Sequence, residues 1–307
     1  MGKIDAITYE YMSDNTRFAD VFNYYLYDGR RVIQADKLHE LDSRELIMPY
    51  GNDGAKETIQ RFRDLMKYSC AMKDDNAAYL LLGIENQSNK HFAMPVRNMV
   101  YDAAQYAKQV SNAAASRRGN KKTGREEYLS GFTKEDKLLP VITLVIFWSS
   151  DKWDAPTSIY EMIDIKDEDV LKYIQNYRIN LIAPYDMKEE DFTKFDTSIA
   201  KALKYIKYSK DGYALHSMLR SDKAYERVDL ATAEVIRAVT NSSLKFEENG
   251  GEVVNMCLAE EQIIEMAKNE SKQEIAKKFI EMGKVSLEDI AFAVGLKLEE
   301  VEALAGE

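Results

Sequence analysis

The 307-residue chain is poor in cysteine, histidine and proline, with two, three and five of them respectively. Its cysteines, Cys70 and Cys257, lie far apart in the sequence, and neither belongs to a C-x-x-C pair. Two such cysteines and three histidines exclude a structural zinc site of known ligand spacing. Both thiols are therefore expected to be buried and reduced.

Long apolar runs are missing too. The longest apolar stretches, such as Val141–Trp148, are far short of the roughly 20 residues that span a bilayer. The first residues, Met1–Asp5, do not lead into the apolar core of a signal peptide. The sequence therefore predicts a cytoplasmic protein with no membrane partner.

The composition, 45% hydrophobic and 31% charged, supplies enough apolar material for a sizeable core. The net charge of −10 at first argues against a nucleic-acid partner, because such binding depends on Lys and Arg displacing counterions from phosphates. However, residues 247–307 hold fifteen acidic residues and six lysines, which leaves a net charge of −1 for residues 1–246. The excess of negative charge therefore lies in residues 247–307, the tail, and DNA remains a candidate partner of the rest of the chain.

Hydrophobic periodicity predicts an alternation of helices and strands, and the nearly continuous apolar run after Pro140 is typical of a central strand covered on both faces. The chain is therefore expected to form an α/β sandwich. The predicted helices are Asp14–Leu26 and Met94–Val110, and the predicted strands are Arg61–Cys70, Ala77–Ile84, Val141–Trp148 and Ile179–Ile182.

Two features of the pattern lead to further expectations. On the helix Met94–Val110, apolar residues such as Val96 and Met99 share one face, and Arg97, Tyr101 and Gln105 are expected near one another on the helix surface. From Asp191 onward the pattern is wholly helical.

The chain ends in three predicted helices, Glu260–Met282, Leu287–Val294 and Leu298–Ala305, separated by Gly283 and by Gly295. The last two have the outline of a DNA-reading helix-turn-helix. The final helix carries three glutamates that would repel phosphates, which favours a packing or oligomerisation element.

One acidic cluster could carry chemistry. Glu85 and Gln87 close a buried strand and point to the same face, because strand side chains alternate. Asp64 lies on the preceding predicted strand, which could run beside it. Two carboxylates and a polar third group suit a hard cation such as Mg²⁺, although acidic residues at strand ends are more often simply solvated.

The order of several short segments along the chain is a more specific signal of family than any one segment alone. Together they resemble the Rpn family of recombination-promoting nucleases and putative transposases, in the PD-(D/E)XK nuclease superfamily. The similarity extends to the opening helix and to the tail. The segments that carry it are Arg63-Asp64, Leu80-Leu81-Leu82-Gly83-Ile84-Glu85-Asn86-Gln87-Ser88, Met94-Pro95-Val96-Arg97-Asn98-Met99-Val100-Tyr101-Asp102, Asn15-Thr16-Arg17-Phe18-Ala19-Asp20-Val21-Phe22-Asn23, Asn255-Met256-Cys257, and Ile290-Ala291 through Gly295-Leu296.

The resemblance implies a restriction-endonuclease-like αβββαβ core with a helical carboxy-terminal extension. In it, Asp64 and Glu85 would hold Mg²⁺ or Mn²⁺ for hydrolysis of DNA phosphodiesters, linked to recombination or mobile DNA. Gln87 stands where the superfamily has lysine, so the site lacks that cation. The implied domains are a nuclease-like domain at 1–190, a helical extension packed on the core at 191–258 and acidic helices at 259–307.

Other residues are candidates for binding substrate. Arg97 and Tyr101, four apart on one helix, could position a phosphate, and a basic loop adds Arg117, Arg118, Lys121 and Lys122. Asp20 is a candidate additional metal ligand, although aspartates on helix surfaces are commonly just solvated. His91 could carry protons, against the simpler interpretation of a loop histidine with no role.

Three hypotheses about function follow. The first is the Mg²⁺-dependent DNA endonuclease. The second keeps the fold without catalysis, as a DNA-binding or partner-binding module whose tail drives assembly into a homo-oligomer. The third is an RNA-directed nuclease, since nothing in the sequence distinguishes the two nucleic acids.

Overall fold

A computed structural model describes seven stretches of the chain, namely residues 3–40, 44–47, 59–62, 65–73, 76–116, 132–245 and 252–305. The α-helices are α1 (Lys3–Ser13), α2 (Asn15–Tyr27), α3 (Met94–Ser116), α4 (Glu168–Leu171), α5 (Glu189–Phe192), α6 (Ile199–Tyr208), α7 (Gly212–Ser221), α8 (Leu230–Thr240), α9 (Met256–Met282), α10 (Leu287–Val294) and α11 (Leu298–Ala305). Short 3₁₀ turns occupy Ala35–Lys37, Tyr160–Met162, Pro184–Asp186 and Lys223–Glu226.

Within these stretches, the strands form one five-stranded sheet and two small pairs. They are β1 (Leu38–Glu40), β2 (Arg44–Ile47), β3 (Ile59–Phe62), β4 (Leu65–Lys73), β5 (Asn76–Gln87), β6 (Val141–Phe147), β7 (Asn180–Ile182), β8 (Val228–Asp229) and β9 (Val253–Val254). The large sheet has the order β1-β4-β5-β6-β7, with β1, β4 and β5 antiparallel and β5, β6 and β7 parallel. This mixed helix and sheet structure confirms the α/β class.

Helices cover both faces of the large sheet, and neighbouring residues of β5 show which helix covers which face. Glu85 meets Arg97 of α3, whereas the Asn86 side chain accepts a hydrogen bond from the indole of Trp148, whose ring packs against Tyr11 of α1. Lys67 of β4 also turns to the α1 side and is fully buried. Because side chains alternate along a strand, α3 covers the face that carries Glu85.

Helix α2 begins and ends where its sequence predicts. Asp14 is the N-cap, and its carboxylate accepts hydrogen bonds from the amides of Thr16 and Arg17. Asp28 and Gly29 follow in the left-handed conformation. A Cβ at Gly29 would lie 2.7 Å from the Lys194 carbonyl oxygen, so this close approach requires glycine.

Several sequence predictions are corrected. The single strand predicted at Arg61–Cys70 is two strands, because β3 pairs with β2 in a separate sheet while β4 joins the large one. The half beyond Asp191 is not wholly helical, since β8 pairs with β9. Cys257 is only half-buried, with its thiol donating to the Leu219 carbonyl, and the Cys70 side chain lies outside the described residues.

The chain divides into two compact units, residues 1–212 with 234–241, and residues 213–233 with 242–307. In the second unit, Ala276 of α9, Ile290 and Ala291 of α10, and Val301 of α11 form an apolar cluster. The three tail helices are confirmed, with Gly283 and Gly295 at positive φ between them. The boundaries at 190 and 258 stay a prediction. Among the described helices, none has the length and apolar content to cross a membrane.

Candidate functional site

The carboxyl end of β5 places an acidic side chain under α3. Glu85 is 0% exposed, and its Oε2 lies 3.0 Å from Nη2 of Arg97, whose own side chain is 31% exposed. A buried carboxylate requires a cation or hydrogen-bond donors, because desolvation of an isolated charge is costly. Arg97 therefore offsets the charge of Glu85 while keeping access to solvent.

A second contact fixes the orientation of the arginine. Arg97 Nε donates a hydrogen bond of 3.1 Å to the hydroxyl of Tyr101, one helical turn further along α3. Tyr101 is buried, and the guanidinium carbon lies 5.6 Å from the centre of its ring. The guanidinium is thus held between a carboxylate and a phenol.

A polar cleft of about 320 Å³ opens at the end of β5. Gln87, the last residue of this strand, is half-buried in its wall. The lining residues supply carboxylate, amide, hydroxyl, imidazole and cationic groups, and they are Asp5, Asn86, Gln87, Ser88, Asn89, Lys90, His91 and Arg97. Such a mixture of donors and acceptors can bind a charged, hydrated group.

A second cleft of about 360 Å³ adjoins the first, and the two share His91 and Arg97. Its other walls are mainly apolar, with Ala93, Val96 and Val100 beside Tyr101. Arg97 therefore lies where a polar cleft and an apolar cleft meet.

The exposed and buried sides of α3 are the reverse of the sequence prediction. Tyr101 and Gln105 are buried, as are the polar residues Asn98 and Asp102. The apolar side is open to solvent instead, with Val96 39% exposed and Met99 37% exposed. The predicted closeness of Arg97 and Tyr101 is confirmed, whereas the predicted surface location is wrong for Tyr101 and Gln105, because the sheet offers polar partners to this helix.

Those partners explain why one of the buried polar residues of α3, Asp102, is tolerated there. The Asp102 carboxylate accepts hydrogen bonds of 2.7 Å from the hydroxyl of Thr143 on β6 and of 2.6 Å from that of Tyr177. Asn98 differs: it is 0% exposed, and neither its Nδ2 nor its Oδ1 has a hydrogen-bond partner within the described part of the chain. Asn98 thus carries unused hydrogen-bonding capacity.

His91 lies between the two clefts, and its environment favours the neutral ring. Burial lowers the pKa of His91 from its ordinary value of 6.5, and the charge of Arg97 lowers it further. A neutral imidazole can accept a proton or a hydrogen bond. His91 is therefore chemically competent as a base.

Asp20 of α2 lies elsewhere and is buried. Its carboxylate accepts hydrogen bonds from the backbone amides of Asp196 and Thr197, at 2.8 to 3.1 Å, and from the Thr197 hydroxyl at 2.6 Å. These bonds tie α2 to the segment that precedes α6. A role for Asp20 as a metal ligand stays a prediction.

Other predicted site residues lie outside the described residues, namely Asp64, Arg117, Arg118, Lys121 and Lys122. Leu65, the first described residue of β4, pairs with Ile84, the neighbour of Glu85. Within the described stretches, no group of three or more His, Cys, Asp or Glu side chains could hold a metal ion.

The structure adds site residues that the sequence analysis missed. The Ser88 hydroxyl donates to the Asp5 carboxylate over 3.2 Å, and Lys90 pairs with Asp154 over 2.8 Å. Ser88 and Lys90 follow Gln87 closely in the sequence, and this position could have identified them as candidate site residues. Asp5 is far away in the sequence and reaches the cleft only because α1 packs there.

The comparison with protein families gives one match. The family model described as "Putative transposase, YhgA-like" matches residues 55–227, more than half of the chain. This span includes Glu85, Gln87, Arg97 and Tyr101, and it confirms the family resemblance of the sequence motifs. Among curated proteins and among solved structures, none matches the chain.

Proposed function

Because the chain belongs to the YhgA-like putative transposase family, we propose that it is a Mg²⁺-dependent endonuclease acting on mobile DNA, built on a PD-(D/E)XK core. The observation that carries this proposal is the buried Glu85 at the end of β5, paired with Arg97 beside a polar cleft. A strand-end carboxylate and an arginine on the following helix suit phosphodiester chemistry, where one binds a cation and the other a phosphate.

The chemistry of the donors fits Mg²⁺, or Mn²⁺ in its place. Glu85 offers carboxylate oxygens and Gln87 an amide oxygen, and hard cations prefer such ligands. Asp64, the proposed second carboxylate, directly precedes Leu65 in the sequence, and Leu65 pairs with Ile84. When bound, such an ion lowers the pKa of water and offsets charge on a phosphodiester oxygen.

The chain's own residues would divide the remaining work. Arg97, partly exposed and oriented by Tyr101 and Glu85, can donate a charge-assisted hydrogen bond to a phosphate. Gln87 can orient the attacking water by hydrogen bonding but brings no charge. The neutral His91 can take up a proton at the same cleft.

A plasmid-nicking assay tests the proposal directly. We expect the purified full chain to nick supercoiled plasmid with Mg²⁺ and not with EDTA, and we expect Glu85→Ala and Asp64→Ala to lose cleavage while remaining folded. Asp154→Ala is a matched control, because Asp154 is an exposed acid paired to a lysine of the same cleft. Wild-type cleavage by either site variant would refute the site.

A wild-type chain that binds DNA without nicking it under any divalent cation would instead support the non-catalytic module. The specific observation for this second candidate is that Arg97 already offsets the charge of Glu85 without a metal, so the same pair is compatible with a site that has lost catalysis. Magnesium titration followed by calorimetry separates the two, because only a catalytic site requires metal binding at Glu85.

The missing lysine gives a sharper test of Gln87. Gln87→Lys restores the superfamily pattern and should preserve or raise the cleavage rate, because a cation beside the attacking water stabilises a charged transition state. Complete loss of cleavage with unchanged metal affinity would show that glutamine has a role that lysine cannot fill.

The proposed phosphate contacts of the basic loop can be counted through their salt dependence. Each neutralised phosphate contributes about −0.9 to the slope of log affinity against log salt on duplex DNA. Replacing Arg117, Arg118, Lys121 and Lys122 with glutamine should therefore flatten the slope by up to about 3.6 if each contacts a phosphate. An unchanged slope would exclude these residues from the interface.

A further inference from the structure

An exposed apolar stripe follows the start of α3. Phe92, in the turn before α3, is 65% exposed, and Val96 and Met99, three residues apart on α3, are 39% and 37% exposed. Exposed apolar residues that cluster in this way mark interaction surfaces, whereas single ones are ordinary. The stripe is therefore a candidate binding surface.

The neighbouring cleft indicates the chemistry of that partner. Val96 belongs both to the stripe and to the apolar cleft, and Phe92 lies between His91 and Ala93, two residues of its lining. The cleft is continuous with the polar one through Arg97 and His91. A ligand that fits both must carry a flat or apolar group next to a charged one.

The charged and polar residues of the cleft indicate which charged group the ligand carries. The polar cleft is lined by two cations, Lys90 and Arg97, and by one acid, Asp5, which accepts the Ser88 hydroxyl. The amides of Gln87 and Asn89 add neutral donors, and phosphate oxygens can accept hydrogen bonds from the cations and from these amides. A nucleotide carries an anionic phosphate beside a flat ring. In a duplex that ring is stacked and paired, so it can enter a side cleft only from a single strand or after unpairing.

We propose that the apolar cleft bounded by Val96 and Val100, next to the turn that carries the exposed Phe92, binds an unpaired base of single-stranded DNA while Arg97 holds the adjoining phosphate. This inference rests on the proposed function and deepens it, because it assigns the structure of the substrate at the cleavage site. The enzyme is then selective for single-stranded or locally melted DNA.

Equilibrium binding of the full chain tests the inference. Fluorescence anisotropy is measured with labelled oligothymidylate and with a duplex of equal length, in Ca²⁺ to prevent cleavage. We expect tighter binding of the single strand and a loss on the order of tenfold in Phe92→Ala for that strand only, since base stacking on an aromatic ring contributes about that much. Phe92→Tyr should bind normally.

Phe292→Ala is the matched control, because Phe292 is 92% exposed on the tail helix α10 and should leave both affinities unchanged. A 2-aminopurine base in the single strand gives a second readout, with fluorescence quenched by the wild type and not by Phe92→Ala. An oligouridylate arm reports the sugar, and clearly tighter binding of RNA than of DNA would overturn the assignment to DNA.

Two results separate this inference from the proposed function. Normal duplex binding with no effect of Phe92→Ala on the single strand would overturn the base site and leave the nuclease proposal standing. Failure of the wild type to bind either DNA would overturn both. A Phe92→Ala change in oligomeric state by light scattering, with DNA binding unchanged, would make the stripe a contact between copies and would also overturn the base site.

Discussion

Two buried asparagines on opposite sides of the sheet have contrasting surroundings. Asn23 of α2 donates to the Ile33 carbonyl and accepts from the amides of Val32 and Ile33, at 2.7 to 3.0 Å. Asn98 of α3 has no such partner within the described residues. The first asparagine holds a chain segment in place, and the second is buried with its amide unsatisfied within the described residues.

Two buried acids repeat the contrast. Asp20 receives hydrogen bonds from two backbone amides and a hydroxyl, whereas Glu85 is paired with Arg97, a partly exposed cation at the wall of a cleft. Polar groups on the α2 side therefore stabilise the fold. On the α3 side, the pair of Glu85 and Arg97 lies beside a cleft and can bind a ligand, at a cost in stability that functional sites commonly carry.

The largest expected effect on stability comes from the acid on the α2 side. Asp20→Ala should destabilise the protein by about 3 kcal/mol, because it leaves the amides of Asp196 and Thr197 without their acceptor. Glu85→Gln should be equally or more stable than wild type, since the amide can still accept from Arg97 and no charge is buried. Urea unfolding followed by circular dichroism measures both.

The same pair tests the predicted metal role of Asp20. We expect Asp20→Asn to retain its cleavage per folded molecule, and Glu85→Gln to lose it. A folded and inactive Asp20→Asn protein would place Asp20 in the metal shell, and a strongly destabilised Glu85→Gln protein would show that this carboxylate is structural.

The asparagines give the next prediction, of intermediate size. Asn23→Leu should cost about 2 kcal/mol, because buried backbone groups of Val32 and Ile33 lose their partners. Asn98→Leu should stabilise by about 1 kcal/mol, since an apolar group of similar volume replaces an unsatisfied one. Thermal unfolding compares the two, and equal losses of stability would mean that Asn98 is satisfied in solution.

Local signals account for the parts of the fold that were predicted correctly. Helix α2, the buried strands β5 and β6 and the tail helices each depend on a cap, a turn or periodicity within a few residues. The orientation of α3 could not be predicted that way. Asp102 is buried because Thr143 and Tyr177, distant in the sequence, bind it.

The candidate site was accessible from the sequence to a similar extent. The motif located the strand with Glu85 and the helix with Arg97, but their 3.0 Å contact depends on how α3 packs on the sheet. The neutral environment of His91 and the burial of Asn98 are likewise products of tertiary packing. A role for His91 in proton transfer stays a prediction.

The smallest effect is expected for an exposed cap on the α2 side. Asp14→Ala should cost about 1 kcal/mol near neutral pH, because the carboxylate caps the amides of Thr16 and Arg17. Burial raises the pKa of Asp14, but hydrogen bonds from Thr16 and Arg17 outweigh it and hold the pKa below 3.8.

The sign of the pH dependence follows from that lowered pKa. The stabilisation is present above the unfolded-state pKa of about 3.9 and is lost as the pH falls through the lower folded-state value. Wild type and Asp14→Ala should therefore differ in denaturation midpoint at pH 7 and converge in strong acid. If the two midpoints still differ in strong acid, Asp14 stabilises the protein through packing and not through its charge.

The order of strands in the large sheet also determines a sequence of events during folding. Strands β4 and β5 form a hairpin closed at Lys73 and Asn76, so their loop closes at little entropic cost. Strand β6 is separated from β5 by α3 and the chain up to Val141, so the pairing of β6 with β5 closes a much longer loop. Since local contacts form faster than distant ones, refolding chains should protect the amides of β4 and β5 from hydrogen exchange before those of β6.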